Sequence, residues 1–160
     1  MDVVVREVVA DEWREVRRIR LRALAQEPTA FGSSVERENL FDETAWRQRI
    51  EGGHWVVAWL GEEPVGLVAG IIDRGSGERE LVGMWVEPEH RGTGVATMLV
   101  DAISTWAKRS ASRTLILWVV VENLRARRFY ERAGFYGTGD FAKLPSNPGL
   151  SEEKMSMLIR

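Results

Sequence analysis

The chain has 160 residues, of which 44% are hydrophobic and 29% charged, which excludes the disordered and membrane-embedded classes and fits one domain, 1–160, around its own core. Its 22 basic and 24 acidic side chains give a net charge of −2, so there is no overall basic footprint for nucleic acid or an anionic membrane. The absence of cysteine excludes disulfides, thiolate-bound metals and a cysteine nucleophile, and two histidines argue against a catalytic metal.

Apolar periodicity predicts a strand over 2–8 and a helix over 11–26, capped by Asp11, with Trp13, Val16, Ile19 and Ala23/Leu24 on one stripe. Residues 27–41, with Pro28, Gly32 and two serines, read as a loop. Asp42 caps the next helix, Phe41 and Trp46 are spaced as a hydrophobic staple, and Gly52-Gly53 ends it. His54–Leu60 and Pro64–Asp73 form a hairpin across Gly61-Glu62-Glu63, and a strand from about Arg79 to Glu87 follows the turn at 74–78. A helix runs from about Gly92 to Ser110. Arg113–Val121 is a strand apolar on both faces, and a helix over 124–133 is capped by Asn123 and stopped by Gly134. The tail holds Pro145 and Pro148, then a last strand over 154–159. The order β-α-α-β-β-β-α-β-α-β-β argues for one α/β domain on a mixed sheet, antiparallel hairpins first and a β-α-β crossover later. Residues 1–7 lack the basic start and long apolar stretch of a signal peptide, and the apolar run 115–121 is far shorter than the roughly 20 residues of a bilayer span. A cytoplasmic location is the resulting expectation.

The chemistry concentrates in Val86-Glu87-Pro88-Glu89-His90-Arg91-Gly92-Thr93-Gly94-Val95-Ala96. A strand ends there and a helix begins, and the unpaired N–H groups and positive dipole of a helix N-terminus attract phosphate. Gly92 and Gly94 let backbone approach a bulky anion, and Ala96 keeps the next turn slim. The simpler reading is a tight turn. Thr97 stands where a dinucleotide-binding fingerprint needs its third glycine, and no Gly-Lys-Ser/Thr is present, so the common nucleotide motifs fail.

Arg91-x-x-Gly94-x-Ala96 nevertheless resembles the Arg/Gln-x-x-Gly-x-Gly/Ala signature of the GNAT superfamily of acyl-CoA-dependent N-acyltransferases. Leu81–Arg91 is similar to that family's central strand and loop. Asn123-x-x-Ala126-x-x-x-Tyr130-x-x-x-Gly134-Phe135 is similar to its second cofactor segment. The resemblance covers nearly the whole chain. It implies a single-domain GNAT-like α/β fold: a mixed, mostly antiparallel central sheet with a splayed strand pair and helices on both faces. It implies acetyl-CoA as cosubstrate and no metal. Backbone from Arg91 through Gly92, Thr93, Gly94 and Val95 to Ala96 would hold the pyrophosphate, Trp85 and Val86 would pair with pantetheine, and Asn123 would contact it from the other wall. Tyr130 would protonate the leaving thiolate, and a homodimer is implied.

Asn123 and Tyr130 are seven apart, so they share a helix face with Ala126 between them. The plainer readings are a cap and a core aromatic. By the same resemblance, Glu80 holds the position, six before Val86, where some relatives carry a base. Strand alternation puts 80, 82, 84 and 86 on one face. The alternatives for Glu80 are a solvated strand-end carboxylate, with water as base; Glu36, Glu38, Glu87, His54 and His90 are further candidates.

Residues 36–90 carry 5 basic and 12 acidic side chains, net −7, and 91–135 carry 8 basic and 3 acidic, net +5. The positive part holds the cofactor motifs, with Arg128 beside Arg125 and Arg127. The negative part borders the expected acceptor site, which points to a small cationic amine. Phe31, Glu36, Trp46 and Trp55 are the candidate acceptor walls, with core packing as the alternative for the aromatics. Trp13, Trp59, Trp106 and Trp118 read as core. The expected activity is acetyl transfer from acetyl-CoA to a small-molecule primary amine, with no nucleic-acid or membrane partner. A protein N-terminal or lysine acceptor, or a non-catalytic acyl-CoA sensor, is the alternative.

Overall fold

In a computed structural model, which describes residues 2–160, a seven-stranded sheet runs in the order β1-β2-β3-β4-β5-β7-β6. The strands are β1 (Val3–Glu7), β2 (His54–Leu60), β3 (Glu63–Ile72), β4 (Arg79–Val86), β5 (Thr114–Val120), β6 (Tyr136–Leu144) and β7 (Asn147–Leu158). All neighbours are antiparallel except β4 and β5. The helices are α1 (Trp13–Gln26), α2 (Val35–Glu38), α3 (Glu43–Glu51), α4 (Val95–Arg109) and α5 (Leu124–Ala133). None of them is long and apolar enough to cross a membrane.

Strand alternation builds two cores. On β2, Val56 and Ala58 face a cluster with Leu99 and Ile103 of α4, Leu115 and Leu117 of β5, and Tyr130 of α5. Trp55, Val57 and Trp59 face the other way, against Val16, Ile19 and Leu24 of α1 and Trp46 of α3. The sheet is therefore covered on both faces. Contact between sheet and helix is close at Gly70, where a Cβ would lie 2.5 Å from two ring atoms of Trp106.

Capping follows the sequence at Asp42, Gly52, Asn123 and Gly134 but not at Asp11. The Asp42 carboxylate accepts from Ala45 N–H at 2.9 Å, and Phe41 meets Trp46 edge-on at 5.9 Å between centroids. Asn123 accepts from Ala126 N–H at 3.2 Å, and Gly134 closes α5 with φ 111°. Asp11 does not cap α1. It lies in a 3-10 turn over Ala10–Glu12 and pairs with Arg47. The expected loop at 27–41 contains the one-turn α2, which Ser34 caps by accepting from Arg37 N–H. The tail forms a long hairpin, with β6 at 136–144 and β7 starting at Asn147 rather than at 154.

The sheet is not continuous at its centre. β4 and β5 pair only at Arg79↔Leu115 and Glu80↔Ile116. Beyond Glu80 the register of β4 against β3 shifts, so that Gly83 and Met84 fall between Val82↔Ala69 and Trp85↔Leu67. Gly83 has φ +66°, a left-handed conformation that glycine takes without strain. Such a bulge bends its strand, and β4 departs from β5 at this point.

Candidate active site

The gap between β4 and β5 opens into a cavity of about 1020 Å³. Three regions line it. At one mouth stand Arg91, Gly92, Gly94, Ala96 and Thr97, with Asn123, Arg125 and Ala126 opposite. Leu81–Val86 and Leu117–Val120 form the walls of the middle. The far end is made by Arg20, Phe31, Ser33, Arg37, Glu38, Arg49, Glu80, Pro145 and Glu152.

The mouth is built to receive an anion. Gly94 is the N-cap of the fifteen-residue α4, with φ 91° and no side-chain cap, so the first N–H groups of the helix are unclaimed by side chains. Gly92 has φ +76°, and a Cβ there or at Gly94 would meet nothing within 4 Å. These glycines are required by backbone conformation, not by space. Arg91 donates from Nε to the Val86 carbonyl at 3.0 Å, and its Nη2 donates to Glu27 at 3.1 Å. Arg125 donates to the same Glu27 oxygen at 3.1 Å. The Val86 carbonyl expected to face pantetheine thus already accepts from Arg91. Thr93 and Val95 lie outside the lining: the Thr93 hydroxyl donates to the His90 carbonyl, and the Val95 side chain is buried in the core. Arg128 lies outside it as well, and Arg125 takes the position beside Asn123.

Asn123 and Tyr130 both line the cavity from α5 with Ala126 between them, and Asn123 is also the helix cap. Tyr130 is 8% exposed and packs edge-on against Phe129 and Phe135. Burial alone raises its pKa, so the phenol keeps its proton across the physiological range.

Glu80 lines the far half of the cavity. Burial raises its pKa to about 7, helped by the charges of Asp73, Glu152 and Glu78 and opposed by Lys154. A carboxyl poised near neutrality suits proton transfer. Glu38 is the opposite case. Its side chain is fully buried and accepts from Arg20 at 3.0 Å twice and from Arg49 at 2.7 and 3.3 Å. Burial would raise its pKa, but the hydrogen bonds and charges of the two arginines more than offset this and hold it at about 2. It is an ion-pair centre and a poor base.

Of the expected acceptor walls, Phe31 lines the cavity and the others do not. Trp46 and Trp55 are 0% and 5% exposed within the α1–α3 core, where Trp55 donates to the Arg49 carbonyl at 3.0 Å. Glu36 is exposed on α2, outside the lining. Trp118, expected in the core, lines the middle of the cavity together with Trp85. Sequence reasoning missed Arg20, Arg49, Glu27 and Glu152. Arg20 did leave a signal, a charge set between Val16, Ile19 and Ala23 on the apolar stripe of α1.

The acetyltransferase (GNAT) family model matches residues 13–135. The chain belongs to the GNAT family. An uncharacterized N-acetyltransferase of Methanocaldococcus jannaschii is 34% identical over 95 residues, 56% of this chain and 42% of that protein. The matched stretches span half or less of the length of this relative and of two others, from Bacillus subtilis and the same archaeon. The fold is similar to that of a GNAT-family acetyltransferase from Streptococcus pneumoniae, with TM-score 0.81 and 18% identity, covering 99% and 100% of the two chains. It is also similar to spermidine N-acetyltransferase from Vibrio cholerae, solved with CoA and spermine, with TM-score 0.74 and 17% identity, covering 98% and 95%.

Proposed function

We propose that this GNAT protein transfers the acetyl group of acetyl-CoA to the primary amine of a small molecule, by direct attack in a ternary complex. The observation that carries this reading is the cavity opened where the β4–β5 ladder stops, running from the uncapped α4 N-terminus past Tyr130 to Glu80. CoA in the complex of the similar spermidine enzyme lends support.

The α4 N–H groups, Arg91 and Arg125 suit the pyrophosphate and other phosphates, with Asn123 along the arm. Acetyl-CoA supplies an acyl group on a sulfur leaving group. Glu80, directly or through a water, takes a proton from the incoming ammonium and frees the lone pair that attacks the thioester carbonyl. An unpaired N–H on the β5-facing edge of β4 suits the developing oxyanion. Tyr130 donates a hydrogen bond to the departing sulfur, and the second proton shed by the attacking nitrogen as the tetrahedral intermediate collapses ends on that sulfur, giving the free thiol. Because the Tyr130 pKa is raised above that of an ordinary thiol, about 8.5, donation begins as a hydrogen bond to the developing thiolate rather than complete transfer.

A small acceptor is favoured over a protein chain by the roof of the far end. Residues 27–41 are tied to the β6–β7 turn, where the Ser146 hydroxyl donates to the Phe31 carbonyl at 2.6 Å and Pro145 lies within 3.4 Å of a Cβ built on Gly32. Glu80 and Glu152 form no ion pair among the described residues, and they favour an amine that arrives as a cation. The test is a screen of small amines and of peptides with acetyl-CoA, reading free thiol. Turnover of small amines supports the reading, and turnover of peptides alone overturns it.

A further inference from the structure

The far end of the cavity is charged with both signs. Glu80 and Glu152 stand on the sheet side and form no ion pair among the described residues. On the helix side, two guanidinium groups share the single carboxylate of Glu38, and Arg37 adds a third, whose Nη1 donates to the Ser33 hydroxyl at 2.9 Å. The Arg20 side chain is 7% exposed, and it uses Nε and Nη2 on Glu38 while Nη1 has no hydrogen-bond partner among the described residues. That nitrogen lies 3.4 Å from where a Cβ on Gly83 would sit, at the bulge of β4, and the guanidinium stacks 5.0 Å from the Phe31 ring. A buried cationic donor left unbonded is costly. Three guanidinium groups face one carboxylate, and a planar arginine fork matches an oxyanion.

Resting on the acetyl-transfer reading above, we infer that the acceptor is a zwitterion, an amine that also carries an oxyanion, with its ammonium toward Glu80 and Glu152 and its anion on the Arg20–Arg49–Arg37 cluster. A carboxylate is the simplest such group, which makes free amino acids the first class to consider. A phosphonate offers the same recognition. This narrows the cationic amine expected from segment charge. A plain polyamine would bring a second cation against three arginines.

The experiment compares matched pairs in the full chain: α- and ω-amino acids of graded size, their amides, their decarboxylated amines and the corresponding aminophosphonates. Turnover is read as thiol release, and binding of each compound to the CoA-loaded protein by calorimetry. The expected result is at least a tenfold advantage of acid over amide in kcat/KM. Arg37→Gln, and separately Arg20→Lys, should shrink that advantage, and Arg37→Lys should restore part of what Arg37→Gln loses. CoA affinity and circular dichroism check that the variants are folded. A phosphonate advantage without a carboxylate advantage assigns the cluster to phosphonates. Binding of acids over amides without turnover supports the anion site and overturns acetyl transfer. Amides or plain amines turned over as well as acids overturn the zwitterion and leave acetyl transfer standing. Absence of binding by any anionic member overturns the site.

Discussion

Glu80 pairs with Ile116 at the last rung of the parallel β4–β5 ladder. The residue that ends the pairing is therefore the one whose carboxyl enters the cavity the splay creates. Backbone geometry and the proposed proton transfer meet at one position. Rung 79 is anchored in the sheet, and beyond 80 the backbone of β4 no longer pairs with β5.

The rate of acetyl transfer should rise with pH around a midpoint near 7, because only the ionised Glu80 can take a proton. Glu80→Gln should remove that limb and lower kcat by about 10²–10⁴-fold. An unchanged rate and profile would assign the base to water. Stability should move the other way. The folded pKa is raised from 4.5, so the native state holds the extra proton between about 4.5 and 7 and loses stability across that window as pH rises. Thermal midpoints of wild type and Glu80→Gln should converge at acid pH and separate above neutrality, with the variant higher.

Glu38 carries the opposite sign. Its folded pKa is lowered to about 2, so its contribution is complete above about 4.5 and is lost as pH falls toward 2. Glu38→Gln leaves Arg20 and Arg49 without their shared carboxylate and should cost about 3–5 kcal/mol in chemical denaturation. A change below 1 kcal/mol would contradict the ion-pair account.

Tyr130→Phe removes the donor and keeps the packing against Phe129 and Phe135. It should lower kcat by about 10²-fold or more with CoA affinity intact. Unchanged turnover would take the phenol out of the mechanism.

Glu27 holds Arg91 and Arg125 at the mouth through one oxygen. Its negative charge opposes the phosphates those arginines suit. Glu27→Gln should tighten CoA binding by about 2–5-fold, the scale of a partly exposed ion pair, as read by calorimetry. Weaker binding would mean that Glu27 orients the arginines instead.

Much of this was legible in the sequence because it is local. Asp42, Asn123 and Gly134 announce helix ends within three or four residues of themselves, and Gly92-x-Gly94 marks a turn that needs positive φ. The splay was implied by family resemblance and not by any pattern in β4, since Gly83 looks like any strand glycine until its φ is known. The far end of the cavity was illegible for another reason. Glu38 meets Arg20 across 18 positions and Arg49 across 11, and Glu152 nears Glu80 only because β7 pairs with β5. Trp46 and Trp55 fill a core that periodicity could not distinguish from an acceptor wall, and Trp118 was misjudged for the converse reason.

The most direct test uses acetyl-CoA labelled in its acetyl group, incubated with the protein and a mixture of small amines and followed by mass spectrometry. The account predicts labelled acetyl on amine nitrogen, with one equivalent of free CoA thiol per acetyl transferred. Thiol release no faster than in water, or label released only as acetate, would contradict it.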